Sequence, residues 1–183
     1  MARIRSLRPN VTREEATEQF SSGLTDILHT TVSGPLKSVA DFYVPFQLFQ
    51  VEIVNGGKRD LRLFGQDAVN GSLDLYQFEQ LPDQRDVICL ETRNCSQPLL
   101  DEAEAKKIVI TKVQRLLFST GFFRVRDLKI SVEPVAGEIY IPYWVGFRGR
   151  GHQVHFVVMD AVRRKMEGAK VRQLLQAWLT SIR

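Results

Sequence analysis

Apolar residues recur at helical spacing in two stretches of the chain that lie a constant 89 residues apart. Within each stretch the steps are three or four residues, which places the apolar side chains on one face of a helix. The matched positions are Ala16 with Ala105, Phe20 with Val109, Leu24 with Val113, Ile27 with Leu116, and Leu28 with Leu117. Both stretches therefore predict helices that pack against other structure.

Each predicted helix is preceded by a start signal. Thr12 and Asp101 are side-chain acceptors at the N-cap, and Glu15 and Glu104 follow three residues later. This spacing is that of a capping box, in which the cap and the Glu exchange hydrogen bonds with each other's backbone N–H. We therefore expect the helices to begin directly after Thr12 and Asp101.

Strand-like segments follow each helix in the same order. Phe-Tyr-Val-Pro-Phe at 42–46 is echoed by Ile-Tyr-Ile-Pro-Tyr at 139–143. Each segment opens a predicted hairpin, because Asn-Gly-Gly at 55–57 and Arg-Gly-Arg-Gly at 148–151 supply the turn residues. Each hairpin then ends in the same triplet, Asp67-Ala68-Val69 in the first and Asp160-Ala161-Val162 in the second.

This recurrence predicts an internal duplication. The expected fold class is α+β, with two tandem helix-plus-antiparallel-sheet repeats and a C-terminal amphipathic helix. Residues 1–80 would form the first repeat, 81–98 a connector with a short strand at 87–90, and 99–183 the second repeat. The C-terminal helix has a continuous apolar stripe, made of Val171, Leu174, Leu175, Trp178, Leu179 and Ile182.

Composition narrows the class of protein. The 183 residues are 44% hydrophobic and 25% charged, as in globular domains. No apolar run approaches the roughly 20 residues that a membrane-spanning helix needs. The polar residues that follow Arg3, Arg5 and Arg8 indicate that no export signal is present, and Cys89 and Cys95 lack the CxxC spacing. We therefore expect a cytoplasmic protein without a membrane span or a disulfide.

Residues 1–97 contain 10 Lys and Arg against 13 Asp and Glu, a net charge of −3, whereas residues 98–183 contain 15 against 8, a net charge of +7. Cations and aromatic residues cluster in the basic half, and such a cluster is typical of a single-stranded nucleic-acid groove. We favour a simpler interpretation, with buried aromatic residues and a solvated cationic rim, because the overall charge of +4 is modest. The candidate binding residues are Tyr140, Tyr143, Trp144, Arg148, Arg150, His152, Arg163, Arg164 and Lys165.

Residues with catalytic or metal-binding chemistry give a weaker signal. Asp67 and Asp160 follow apolar strands, and paired carboxylates can act as acid and base, but we expect each to accept hydrogen bonds from its own turn. His152 and His155 are three residues apart and would point to opposite faces of a strand, which argues against zinc. His29 suits a helix C-terminus. We predict no catalytic residues, no metal and no cofactor.

The residues Phe-Gly-Gln-Asp-Ala-Val-Asn-Gly at 64–71 and Val-Val-Met-Asp-Ala-Val at 157–162 resemble the strand endings of PepSY and cystatin-like small bacterial domains. This resemblance covers most of both halves. It implies one helix on a curved antiparallel sheet, and a protein-binding or regulatory module of the kind suggested to restrain peptidases. It implies no catalytic residues.

The leading hypothesis is therefore a non-enzymatic protein-binding or regulatory module that binds a protein partner or self-associates. One alternative is a nucleic-acid binder that uses the basic second half. Another is an enzyme or small-ligand carrier with a pocket between helix and sheet, around Tyr43, Tyr140 and Trp144.

Overall fold

The computed structural model describes residues 1–22, 34–119, 127–150 and 153–181, which contain eight strands and three helices. Strands hold 48% of these residues and helices 25%. The strands are β1 (Ala2–Leu7), β2 (Leu36–Asn55), β3 (Lys58–Asp67), β4 (Tyr76–Phe78), β5 (Val87–Thr92), β6 (Lys129–Arg150), β7 (Gln153–Asp160) and β8 (Lys165–Met166). The helices are α1 (Arg13–Ser21), α2 (Glu102–Ser119) and α3 (Ala169–Ser181).

The start signal of α1 forms the predicted capping box, and at α2 the Asp101 half of the predicted box is present. In α1 the Thr12 hydroxyl accepts a hydrogen bond from the Glu15 N–H at 3.2 Å, and the Glu15 carboxylate accepts one from the Thr12 N–H at 2.8 Å. At α2 the Asp101 carboxylate accepts from the Glu104 N–H at 2.7 Å. These bonds satisfy backbone donors that the first turn of a helix leaves unpaired.

The chain divides into two compact units, and each unit draws on both halves of the sequence. The second unit comprises Pro45–Arg85 and Gln97–Tyr140. In it β3 pairs antiparallel with β2, from Phe46 opposite Asp67 to Asn55 opposite Lys58, and β4 pairs with β3. Its core joins α2 to this hairpin through Phe49, Val51, Ile53, Phe64, Ala105, Val109, Val113, Leu117 and Val132.

The first unit comprises Met1–Val44, Asp86–Ser96 and Ile141–Arg183. In it β1 pairs antiparallel with β5, β6 with β7, and β7 with β8. Its core joins α1 to the β6–β7 hairpin through Val11, Ala16, Phe20, Val39 and Met159, with Leu36, Trp144 and Val157 packed against them.

The predicted fold class of two tandem helix-plus-sheet repeats is therefore wrong, although the α+β class holds. Helix α1 shares its core with the hairpin from the far end of the sequence, and α2 shares its core with the hairpin that precedes it. In the strand order β4-β3-β2-β6-β1-β5, strand β6 from the second half of the sequence stands between β2 and β1 from the first half, and β7 and β8 pair off this path, β7 with β6 and β8 with β7. An apolar helix face requires an apolar surface, and the sequence pattern leaves open which hairpin supplies it.

The Asp-Ala-Val triplets make matching backbone contacts in the two units. The Ala68 N–H donates to the Pro45 carbonyl at 2.8 Å, and the Ala161 N–H donates to the Pro142 carbonyl at 3.0 Å. Each alanine carbonyl accepts hydrogen bonds from the backbone N–H groups of the two residues that lie just before a helix N-cap. These are Leu99 and Leu100 for Ala68, and Asn10 and Val11 for Ala161.

The carboxylates of these triplets hold their own turns, as predicted. Asp160 Oδ1 accepts from the N–H groups of Val162 and Arg163, each at 2.8 Å. Asp67 accepts from three backbone N–H groups of its turn and from the Gln66 amide. Both aspartates are fully or almost fully buried. Their role is to satisfy turn donors, which is a common use of Asp in such positions.

Lys112 ties the Asp67 turn to helix α2. Its ammonium group donates to Gln66 Oε1 at 2.8 Å, to the Gly71 carbonyl at 2.7 Å and to the Leu73 carbonyl. Gln66 is fully buried and bonds Asp67 through its amide nitrogen at 2.9 Å. Lys112, Gln66 and Asp67 are therefore connected by hydrogen bonds in one continuous polar network inside the second unit.

The C-terminal amphipathic helix is confirmed as α3. Val171, Leu174 and Leu175 are buried, and the Trp178 ring lies 4.7 Å from the Phe42 ring, centroid to centroid. Ile182, which completes the predicted stripe, lies outside the described residues, as do Leu24, Ile27 and Leu28 of the first predicted helix. In the described part of the chain, no helix combines the length and the apolar character needed to cross a membrane.

Candidate functional site

The aromatic residues of the predicted binding cluster lie largely inside the protein. Tyr143 is buried in the first unit, and Trp144 is half-buried, with its indole N–H donating to the Val11 carbonyl at 2.8 Å. Tyr140 is half-buried in the second unit. Tyr43, which the pocket hypothesis used, is buried in the first unit. These rings therefore contribute to packing, and they present no exposed stack to a ligand.

The basic residues of the cluster fall into two groups. Arg148 is 2% exposed, and its guanidinium donates to the backbone carbonyls of Phe20 and Gly34. Arg163, Arg164 and Lys165 are exposed, and Arg164 pairs with Glu15 at 2.9 Å. The side chain of Arg150 and all of His152 lie outside the described residues, as does His29.

An open groove of about 800 Å³ lies in the first unit between α3 and the β6–β7 hairpin. The hairpin register places Phe147 opposite Phe156 and Gly149 opposite Val154. The two phenyl rings meet edge to face, with centroids 6.1 Å apart. Concave, partly apolar surfaces are where proteins commonly bind ligands, so we take this groove as the candidate site.

Alternation along the strands decides which side chains form the floor of the groove. Successive residues of a strand point to opposite faces, so Phe147, Val154 and Phe156 share one face of the hairpin. A Cβ at Gly146 would meet the Phe20 ring, which shows that the opposite face lies against α1. Arg148 and His155 alternate with the aromatic pair and share that opposite face. Phe147, Val154 and Phe156 therefore form an apolar floor on which Val154 is 56% exposed, and Arg148, the exposed His155 and Val157 of the opposite face also line the groove.

Helix α3 supplies the wall of the groove. The lining residues Ala169, Arg172, Gln173 and Gln176 are spaced three and four apart, which is the spacing of one helix face. Leu179 and Thr180 extend this face by one turn. The buried residues Val171, Leu174 and Leu175 lie between them in sequence, on the other side of the helix.

Sequence reasoning found only part of this site. Arg148 belongs to the predicted cluster and lines the groove, whereas the wall residues Gln173 and Gln176 and the floor residue Phe156 are absent from it. A signal was present, because the polar residues of α3 flank its apolar stripe at helical spacing. The direction in which that flank faces depends on how α3 docks, which no local pattern specifies.

The charged side chains that line the described part of the groove are all basic. Its lining contains Arg148, Arg172 and His155, and the described lining residues include no carboxylate. Because Arg148 directs its guanidinium toward backbone carbonyls near α1, Arg172 is the cation on the wall itself. The groove thus combines an apolar floor with the exposed Arg172, the exposed imidazole of His155 and two amide side chains.

A second cavity of about 350 Å³ lies within the second unit and has the opposite character. Gln47, Glu102 and Glu138 line it together with the apolar segment 134–137. Burial raises the pKa of the Glu138 carboxyl, and a hydrogen bond from the Tyr140 side chain opposes that shift. The Gln47 side-chain amide nitrogen donates a hydrogen bond to the Leu100 carbonyl oxygen at 3.1 Å.

Replacing Glu138 with Gln should change how stability depends on pH. A folded-state pKa above the unfolded value means that protonation favours the folded state, so this contribution is present at low pH and is lost as pH rises through the folded pKa. We expect the Glu138→Gln protein to be more stable than wild type at pH 7, and the difference to vanish below the ordinary Glu value of 4.5. Urea unfolding at pH 7 and pH 4 measures this, and parallel pH profiles would contradict it.

Among the described residues of the first unit, the two thiols and the Tyr43 hydroxyl are the remaining groups with reactive chemistry considered as candidates. Cys89 is exposed and Cys95 is buried, and both are free thiols. Burial raises the pKa of the Cys95 thiol, which disfavours the nucleophilic thiolate. Burial and the nearby Asp41 likewise raise the pKa of Tyr43. Across the described ranges, no three or more His, Cys, Asp or Glu side chains are grouped as a metal site.

Comparison of the chain with protein-family models, with curated proteins and with solved structures yields no match.

Proposed function

We propose that the protein is a non-enzymatic binding module that holds a short amphipathic segment of a protein partner in the groove between α3 and the β6–β7 hairpin. The observation that carries this proposal is the partly exposed apolar floor of the groove, with Phe147, Val154 and Phe156 on one hairpin face. Apolar surface rimmed by polar side chains is characteristic of binding sites for peptides and proteins.

Charge complementarity specifies the partner further. Arg172 stands on the wall without a carboxylate in the described lining, so an acidic side chain on the partner would find a cation and no like charge. Gln173 and Gln176 can donate to or accept from the polar groups of the segment. The partner segment therefore combines apolar residues, which face the floor, with Asp or Glu opposite Arg172.

This proposal agrees with the class of function that the PepSY and cystatin-like resemblance implies, and it rests on different observations. The nucleic-acid alternative lacks comparable support, because stacking platforms require exposed rings. In the predicted cluster Tyr143 is buried, and Trp144 donates its indole N–H to the backbone of the first unit.

Binding of defined peptides tests the proposal. We expect a fluorescein-labelled 12-residue peptide with Leu at helical spacing and Glu at its polar positions to bind with a Kd of about 10–100 μM, in the range of weak transient recognition. The same peptide with Lys in place of Glu should bind at least about tenfold more weakly. Fluorescence anisotropy measures both, with single-stranded oligo-dT as a third probe.

Two variants assign the binding to the groove. Arg172→Glu should reverse the preference between the Glu and Lys peptides, and Val154→Glu should weaken binding of the Glu peptide. Lys165→Glu is the matched control, since Lys165 is an exposed cation of the same unit outside the groove lining. Equal binding of the two peptides, or salt-dependent oligo-dT binding that Arg172→Glu abolishes, would overturn the proposal.

A further inference from the structure

Strand β5 (Val87–Thr92) stands at the end of the strand order β4-β3-β2-β6-β1-β5. Within the described ranges β1 is the one strand that pairs with it, so its other edge has no strand partner there. Natural sheets protect such edges with Pro, Lys or bulges, because an open edge is a template for another strand. Strand β5 has none of these residues, and Glu91 is its one charged side chain.

The register between β1 and β5 shows which backbone groups face the open edge. The Arg8 N–H donates to the Asp86 carbonyl at 2.7 Å, so these directly opposed residues form a hydrogen-bonded pair. Pairs of this type alternate along an antiparallel ladder. Ile88, Leu90 and Thr92 therefore direct their backbone groups toward β1. Val87, Cys89 and Glu91 direct their N–H and C=O groups outward.

The two faces of β5 differ in polarity. Ile88 and Leu90 lie opposite the buried Ser6 and Ile4 of β1, and they are themselves only half-buried. Cys89 and Glu91 share the other face with the exposed Arg5 and Arg3 of β1, and Val87 lies at the end of that face opposite the buried Leu7. A strand added at this edge would thus need apolar residues on the inner face and polar or small residues on the outer face.

We propose that this edge pairs with the same edge of a second copy of the chain, antiparallel and centred on Cys89. This register sets Val87 of each copy opposite Glu91 of the other and Cys89 opposite Cys89. It pairs every outward backbone group of Val87, Cys89 and Glu91, whereas a shift of the twofold centre by one residue in either direction leaves some of them unpaired. No other strand is needed, because β5 itself meets the requirements of the edge.

The inner face supports the same register. It sets Ile88 of each copy beside Leu90 of the other, so the half-buried apolar side chains cover one another. A two-fold contact in which one patch meets itself is the usual form of a homodimer interface. One short strand pair buries less area than a standard stable interface, so the dimer should be weak and concentration-dependent.

Cys89 provides a direct readout of the register. Residues of a hydrogen-bonded antiparallel pair have Cα atoms about 5.5 Å apart, which is within the range that a disulfide spans. Oxidation of the full-length protein by copper phenanthroline should therefore yield a reducible covalent dimer. Cys89→Ser should abolish that dimer, and Cys95→Ser should leave it unchanged, since Cys95 is buried.

A proline substitution separates edge pairing from random collision. Glu91→Pro removes an N–H that points outward, so it blocks the second copy while leaving the donors to β1 in place. We expect Glu91→Pro to weaken the dimer at least tenfold in sedimentation velocity and to lower the yield of cross-linked dimer. Glu91→Ala keeps the N–H and should behave like wild type.

Hydrogen exchange of the wild-type protein tests the register without any substitution. On concentration into the dimer range, the amides of Val87, Cys89 and Glu91 should become protected, while those of Ile88 and Leu90 are already protected by β1. A protein that stays monomeric to 0.5 mM overturns the proposal, as does a dimer that Glu91→Pro leaves intact or that forms without added protection of the three amides.

Discussion

Replacing Asp67 with Ala is expected to destabilise the protein by about 3–5 kcal/mol. The Asp67 carboxylate accepts from the N–H groups of Asn70, Gly71 and Leu73 at 2.8–3.1 Å and from the Gln66 amide at 2.9 Å. Alanine would leave buried donors without a partner, and each costs about 1–3 kcal/mol. Urea unfolding followed by circular dichroism measures the loss.

Asn70 provides the control in the same turn. Its side chain is exposed, and its Oδ1 accepts a single bond, from the Ser72 N–H at 3.0 Å. Asn70→Ala should therefore cost about 1 kcal/mol or less. Asp67→Asn should lie between the two, because it keeps one acceptor oxygen and turns an NH₂ group toward existing donors. Equal losses for Asp67→Ala and Asn70→Ala would show that the buried network does not hold the turn.

Replacing Gly146 with Val is expected to cost about 1–3 kcal/mol by overpacking the core of the first unit. A Cβ at this position would lie 2.8 Å from a Phe20 ring carbon, 2.9 Å from a Val157 methyl and 3.0 Å from a Leu36 methyl. These distances are too short for carbon atoms, so α1 or the hairpin must shift. The free energy of unfolding from urea titration measures the cost, and a cost near zero would mean that α1 does not lie on Gly146.

Local structure in this protein could be predicted well from the sequence, because each local signal has a short-range cause. Thr12 and Asp101 begin helices since their side chains satisfy the first N–H groups. Gly56 and Gly57 adopt positive φ at the first hairpin turn, as Asn-Gly-Gly predicts. The backbone hydrogen bonds that Asp67 and Asp160 accept in their own turns also join residues close in sequence, so they too could be predicted.

The pairing of helices with hairpins could not be predicted, because it is set by contacts far apart in sequence. The apolar face of α1 offers Ala16 and Phe20, and the corresponding face of α2 offers Ala105 and Val109. Small and large apolar residues alternate similarly on both helices, so either face could pack on either hairpin. The expectation of tandem repeats assumed that neighbours in sequence are neighbours in space.

The candidate site also depends on contacts between residues far apart in sequence, which the local pattern could not predict. Arg148 stands next to a Gly-rich turn, where a solvated side chain is the usual outcome, yet it is buried with its guanidinium on the carbonyls of Phe20 and Gly34. Those acceptors lie more than 100 residues away in sequence. The polar flank of α3 was visible as a pattern, but its position beside the Phe147 and Phe156 pair follows from docking of the whole helix.

The most direct test of the account is the coupling free energy between Phe20 in α1 and Gly146 in the β6–β7 hairpin, measured by a double-mutant cycle of Phe20→Ala and Gly146→Val. Removing the ring opens the space that valine needs, so we predict that the double variant is at least about 1 kcal/mol more stable than the sum of the single losses implies. A parallel cycle of Phe20→Ala with Val51→Ala should be additive within about 0.5 kcal/mol. Coupling of Phe20 to Val51 and none to Gly146 would contradict the pairing of α1 with the distant hairpin.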